Sequence, residues 1–486
     1  MVYLLSFIWS IGLAAALFVH FQRNSSGREF VTVYLINFIL QFLLLDLALQ
    51  YVRGGRSPQG AYYIAMAVAL SMVHILFVWS LGKVPSFSTN SRLAFQSLLT
   101  AGYSFARYGI LLWLAVRVYL YAKYGAQSFS YITLFDRDAR YGSPISYADT
   151  VLRTVALYLA NGAAMALVVQ IAVRGWRAIS LFEWALLAIF FVFVLLGEAP
   201  LGVRRTVILY VLIFLLTFAM TRGVSWRAVG IAVVLGVAGI AFMGYYQRIR
   251  FNAANPEVYR LLSSGNISQI LAGVVAYLTP HPQPDGTQVF RSGGLDFFAT
   301  CLRAVDQTGK TMGGSLLTFS FYKVIPAAFY SGKSRLDIDE VVVQFFQLEE
   351  RDYASSILAN LYVDFGIVGI LLAPLLWWVT VYVALAILAR TKKNGAFAVG
   401  LAGMIFGLLS MVESTLIHLF VYVRDMLFVL PVFYLVGLAI GRYKETMSAH
   451  DQQDKPQSTT PEESTVAIPL QSRRYPLLLD KAGEGK

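Results

Sequence analysis

Side chains able to clamp an anion or move a proton crowd into the interval from Tyr246 to Leu361 and its borders. Arg204 and Arg205 are adjacent, and Arg248 and Arg250 follow a YYQ triplet directly. Guanidinium forks bind phosphate oxygens through paired N–H bonds and stay charged at any physiological pH. Two such pairs on one face would make a good anion clamp. For proton transfer the same interval offers DIDE (337–340), EERD (349–352) and His281 within TPHPQPDG. Glu340 or Asp339 could act as a general base if burial beside other carboxylates raises its pKa. Asp337 and Asp339 could instead offer oxygens to a divalent cation, or the run could be a solvated, salt-bridged surface beside Lys333, Arg335 and Arg351. His281 reads either as a residue of a Pro-rich turn or as a base. His418, with Glu413 and Arg424, reads as part of a short turn between two helix ends, where a base would be well placed.

Other chemistries find no motif. Cys301 is the single cysteine, so neither an intramolecular disulfide nor a CxxC site can form. Five histidines at positions 20, 74, 281, 418 and 450 make no pair at ligand spacing, which argues against a transition-metal centre. The sequence contains no Walker-type loop, no GxSxG elbow and no GxGxxG run leading from a strand into a helix. No cofactor is expected.

These residues must be positioned by membrane-spanning elements. Hydrophobic residues make up 57% of the chain and charged ones 14%, against about 25% charged in soluble proteins. A span needs about 20 mostly apolar residues, because only a helix or closed barrel satisfies its backbone in lipid. Apolar runs near 3–19, 31–49, 61–81, 99–121, 150–172, 181–197, 205–221, 228–246, 361–388, 396–414 and 425–441 predict about eleven spans. The run 266–279 is too short to count and reads as re-entrant or interfacial. The first run lacks a basic leader and reads as a retained helix rather than a cleaved signal. The expected fold is an all-α polytopic bundle of about 11–12 spans with a large, mostly helical periplasmic loop. Its parts would be residues 1–246 (about eight spans), the loop 247–360, the C-terminal helices 361–445 and a disordered cytoplasmic tail 446–486.

The net charge of +12 would suggest nucleic acid in a soluble chain, but here it falls largely in short inter-helix loops, where it orients the chain and faces lipid headgroups. Nucleic acid is therefore not an expected partner; the bilayer is. Arg174 and Arg177, Arg222 and Arg227, and Arg390, Lys392 and Lys393 share one side of the alternation, which makes that side cytoplasmic. Arg53 and Arg56 dissent. Arg107, Arg117 and Arg153, taken singly, can snorkel to headgroups. The loop 247–360 carries ten basic and ten acidic residues, so it gives no topology signal and reads as a folded cap. Within it LDFFATCLRAV (295–305) and EVVVQFFQL (340–348) have apolar residues at helical spacing and are expected to lie against the membrane surface or the bundle.

Two stretches carry a resemblance: KTMGGSLLTFSFYKVIPAAFYSGKSR (310–335) and SSILANLYVDFGIVGI (355–370), the second containing Asp364, Phe365, Gly366 and Gly369. From the GEAPLGVRR link (197–205) to the last span, the chain resembles the Wzy-type polymerases that extend O-antigen and exopolysaccharide. It departs from their pattern at Ala327 and Gly332. The resemblance implies a glycosyltransferase of the bacterial inner membrane, which moves a growing glycan from undecaprenyl diphosphate onto a second lipid-linked repeat unit at the periplasmic face. It implies an undecaprenyl-diphosphate-linked glycan as substrate and brings in a flippase and a chain-length regulator of the same pathway as partners. On this reading Arg204, Arg205, Arg248, Arg250 and Arg424 hold the diphosphate, and the base lies among Glu340, Asp339, His281 and His418. The alternatives are an O-antigen ligase or other lipid-linked glycosyltransferase, and a polysaccharide transporter.

Overall fold

The computed structural model describes residues 8–14, 16–17, 28–44, 47, 60–125, 145–197, 203–222, 256–262, 264, 266–279, 293–325, 336–348, 355–391, 394–412 and 415–453. Of these about 89% are helical and none lies in a strand. The helices are α1 (Glu29–Phe38, continued by a π turn, Ile39–Leu44), α2 (Gly60–Leu81), α3 (Pro85–Ser97), α4 (Tyr103–Tyr124), α5 (Tyr147–Arg174), α6 (Leu181–Gly197) and α7 (Val203–Arg222). After these come α8 (Pro256–Leu262), α9 (Ile267–Leu278), α10 (Gly294–Thr308), α11 (Ser315–Val324), α12 (Ile338–Phe346), α13 (Ile357–Phe365), α14 (Ile367–Arg390), α15 (Gly395–Ser410) and α16 (Leu416–Gln453). One compact unit takes in Met1–Ala439; a second, Ile440–Lys486, is described only to Gln453 and is helical there.

Five helical stretches among the described residues are long and apolar enough to cross a membrane: Gly60–Leu81, Pro85–Tyr124, Ala148–Arg174, Ile367–Arg390 and Leu416–Ala439. The protein is accordingly a multi-pass, helical membrane protein. Four shorter apolar helices accompany them: Glu29–Leu44, Leu181–Val194, Ile208–Ala219 and Gly395–Ser410. The expected run 228–246 and both ends of 3–19 lie outside the described residues.

Three boundaries differ from those read from the apolar runs. The run 99–121 is the second half of a 40-residue helix, because the π turn Leu98–Gly102 joins α3 to α4 without a break. The run 361–388 is two helices, divided where Gly366 adopts φ +60°. The last span starts at Leu416 instead of residue 425, so His418 and Arg424 are not in a turn.

Local chemistry sets several starts. Ser146 accepts from the Asp149 N–H at 3.2 Å, Asn394 from Phe397 at 3.0 Å and Ser356 from Ala359 at 3.1 Å, each satisfying a donor that the first turn leaves open.

The central crossing is α5 on α15. A Cβ on Gly162 would lie 1.8 Å from the Val399 carbonyl oxygen, and one on Gly403 1.9 Å from that of Tyr158. Small residues let the two backbones touch, which is how helices gain van der Waals contact in lipid. The pairing of 158 with 403 and 162 with 399 makes the two helices antiparallel and gives the bundle two distinguishable ends. At one end Tyr103 Oη donates to Ala178 O (3.1 Å), Thr221 Oγ1 to Ala172 O (3.4 Å), and Gly395 abuts the Ala101 carbonyl. Arg174, Arg177, Arg222 and Arg390 therefore share that end. The opposite end holds the starts of α5 and α16 and the α13–α14 corner, joined by the Leu416 N–H donating to Asn360 Oδ1 at 3.0 Å.

The helices of the 247–360 interval that are described pack here too. In α10, residues 294–302 and 304 are buried, and the helix lies on α2 and α13. Of the two settings expected for residues 295–305, the structure shows the bundle.

Candidate functional site

The two stretches that carry the family resemblance meet in space. Asp364, 1% exposed, accepts from the backbone N–H groups of Leu316 (2.9 Å) and Leu317 (2.6 Å), so its carboxylate caps the start of α11. The N–H groups of Met312 and Gly313 add bonds to the carbonyls of Val363 (2.9 Å) and Asp364 (3.0 Å). A helix start is electropositive and short of acceptors, which suits a carboxylate. Burial pushes the Asp364 carboxyl above the usual carboxylate range, against the opposing pull of these N–H groups. Gly366 supplies the positive φ that turns the chain from α13 into α14. Gly369 lets α14 start against α13, since a Cβ there would lie 1.9 Å from Leu361 O. DFGIVG is thus a corner that grips one end of α11.

The other end of α11 rests on Arg424. Its Nη1 donates to Val324 O at 3.3 Å, while Nε and Nη2 donate to Asp425 Oδ1 at 2.9 and 2.7 Å. Asp425, 4% exposed, accepts at Oδ2 from Tyr158 Oη at 2.7 Å. Tyr158 reaches it because Gly403 lets α5 approach α15 closely. Arg424 is half-buried, and three of its five N–H donors are spent on these contacts; among the described residues the other two have no acceptor. Lys323, one residue before Val324, donates from Nζ to Leu336 O at 2.8 Å. Burial pulls the Lys323 ammonium below its ordinary pKa, and Asp337 and Glu340 pull it back up. A guanidinium and an ammonium therefore flank the same helix end, with an aromatic wall beside them where Phe321 meets Phe420 edge to face at 6.3 Å.

The acidic run has a local role. Asp337 and Glu340 form a capping box on α12: the Asp337 side chain accepts from the N–H three residues on, and the Asp337 N–H donates to Glu340 Oε2 at 3.0 Å. Asp339, half-buried, stands close enough to the fully buried Cys301 for its charge to add to the burial that pushes that thiol well up. Among the described residues no group of three or more His, Cys, Asp or Glu gathers in a way that could hold a metal ion.

The capping box makes a separable expectation for Glu340. Gln serves equally at that position of a capping box but cannot take a proton. Glu340→Gln should therefore leave the thermal midpoint of the detergent-solubilised protein unchanged, whereas Glu340→Ala, which removes one arm of the box, should lower it.

Of the residues expected to hold a diphosphate, Arg424 lies in the arrangement above. Arg204 and Arg205 fall in the first turn of α7 with side chains outside the described residues; Arg248, Arg250 and Glu413 lie outside them altogether, as does His281. His418 is exposed in the first turn of α16, its Nδ1 2.9 Å from Thr415 Oγ1. Asp425 and Lys323 showed in the sequence as ionisable residues, but not as neighbours of Arg424 through a tyrosine and a helix end. Tyr158 carried no signal, being one of 28 tyrosines on an apolar run. No family model, curated protein or solved structure matches this chain.

Proposed function

We propose that this chain is a glycosyltransferase of the bacterial inner membrane, with about eleven or twelve spans and a large periplasmic loop, that polymerises undecaprenyl-diphosphate-linked oligosaccharide repeat units. The observation that carries the reading is Arg424: a guanidinium held by three hydrogen bonds to Asp425 and Val324, with two N–H donors uncommitted among the described residues, beside Lys323 and next to the corner built from the resembling motif. The basic residues Arg174, Arg177, Arg222 and Arg390 at the opposite end support a cytoplasmic assignment for that end, and with it a periplasmic one for Arg424.

The chemistry asks for little more. An acceptor hydroxyl oxygen attacks the anomeric carbon of the donor glycan, the bond from that carbon to the diphosphate oxygen breaks, and undecaprenyl diphosphate leaves. Arg424 and Lys323, with Arg204, Arg205, Arg248 and Arg250, stabilise the charge developing on the leaving group. His418, about 9 Å along the axis of α16 from Arg424 and steadied by Thr415, accepts the hydroxyl proton; Asp339 is the second choice. The diphosphate bond supplies the energy, so no nucleotide is needed. A flippase that delivers the repeat unit and a chain-length regulator would be the partners of such an enzyme.

The test is to reconstitute the purified chain in liposomes with the host's undecaprenyl-diphosphate repeat unit and resolve the products by size. A ladder spaced by one repeat unit, formed without nucleotide sugar, is the expected result. Transfer of the glycan only to a second class of acceptor would make the protein a ligase, and passage of an unaltered single unit across the bilayer would make it a transporter.

A further inference from the structure

A second polar site stands at the same end of the bundle, away from Arg424. Tyr62 and Tyr63 open α2, their rings meeting nearly at right angles with centroids 5.1 Å apart, and Tyr62 is 69% exposed. Tyr63 Oη donates to Asp306 Oδ2 at 2.6 Å. Asp306 is itself exposed near the end of α10. Arg303, one turn earlier, is near enough for its charge to reach Tyr63, so the patch is close to neutral overall. Burial of α10 holds the arrangement in place. Its Phe298 packs edge to face on Tyr362 at 5.8 Å, tying this patch to the corner that grips α11.

We infer that Tyr62, Tyr63 and Asp306 form a glycan-binding ledge. An exposed aromatic face presents negative charge density to the C–H face of a pyranose ring, and a carboxylate oxygen beside it accepts from the ring's hydroxyls in charge-assisted bonds. Tyrosines at a membrane edge also serve as interfacial anchors. An anchor among lipid phosphates gains nothing from a carboxylate held at its tip, whereas a neutral polyol does. The Tyr63 hydrogen bond fixes one oxygen of a carboxylate that is itself exposed. The ledge thus favours an uncharged sugar chain over a phosphate headgroup. The inference rests on the proposed function only for the identity of the glycan, which would be a stretch of the growing or accepting chain held apart from the diphosphate end.

The experiment places the labelled full chain, in lipid nanodiscs, on an array of bacterial surface oligosaccharides. Retention on a subset of glycans is expected, falling at least tenfold with Tyr62→Ala and with Asp306→Asn. Both side chains are exposed, so neither change removes packing from the core. Absence of retention by the parent chain, or variants that keep the same glycans at the same level, would overturn the ledge and leave Tyr62 as an interfacial anchor. The liposome ladder separates the two readings: a ladder without array retention removes the ledge alone, and retention without a ladder removes the polymerase alone.

Discussion

On the proposed polymerase activity, Arg424→Ala should lower the rate of chain growth by about 10²–10³-fold, the range seen when one preorganised donor is removed from developing negative charge. The same change strands Asp425, whose carboxylate is 4% exposed and would keep only the Tyr158 hydroxyl of its present partners. Breaking a buried pair from one side costs about 3–5 kcal/mol, so lost activity alone could reflect lost fold. The double variant Arg424→Ala with Asp425→Asn separates the two effects, because the amide removes the stranded charge and still accepts from Tyr158. We expect its thermal midpoint in detergent to recover most of what the single change loses, with the polymer still absent. Arg424→Lys should restore part of the rate only, since an ammonium cannot hold Asp425 through two donors and keep two more for a diphosphate. A double variant that recovers both stability and chain growth would make Arg424 a structural residue and remove it from the diphosphate site.

Helices were legible because lipid leaves the backbone few choices, and an apolar run long enough to cross must be one. Their joints were not. A hydropathy scan takes Arg424 and Asp425 as the end of a span, yet the pair neutralises itself and Tyr158 completes it, so α16 runs through both residues. Gly366 stands in a run whose one charged residue is Asp364, and hydropathy there does not announce that the chain changes direction. The motif DFGIVG was visible, but its work was not: the bonds from Asp364 go to Leu316 and Leu317, residues far away in sequence. The acidic run shows a second use of the same residues. Of its three carboxylates, Asp337 and Glu340 form a helix cap, a role that the DxxE spacing also encodes. Ionisable residue types could be found by inspection; which of them face each other depended on backbone contacts such as Gly403 against Tyr158.

Gly369→Ala should be among the most damaging single-methyl changes in the chain. The added Cβ would meet backbone: Leu361 O at 1.9 Å, Leu361 C at 2.3 Å and Tyr362 N at 2.7 Å. No rotamer can relieve that, so α13 and α14 must separate by more than an ångström. Asp364 sits in the same corner, and moving it pulls its carboxylate off the two N–H groups that start α11. Charge-assisted bonds of this kind are worth about 1.5–3 kcal/mol each to a buried group, and overpacking against backbone adds about 1–3 kcal/mol. We therefore expect a loss of at least about 3 kcal/mol, read as a fall in the thermal midpoint of the detergent-solubilised protein, and loss of polymer with it. Gly309→Ala is the matched control. Unlike Gly369, Gly309 has a positive φ, +63°, but nothing lies within 4 Å of its missing Cβ, so alanine there meets only the backbone penalty of about 1–2 kcal/mol. Equal midpoints for the two variants would mean that the α13–α14 corner is not packed as closely as described, and the link from DFGIVG through α11 to Arg424 would lose its support.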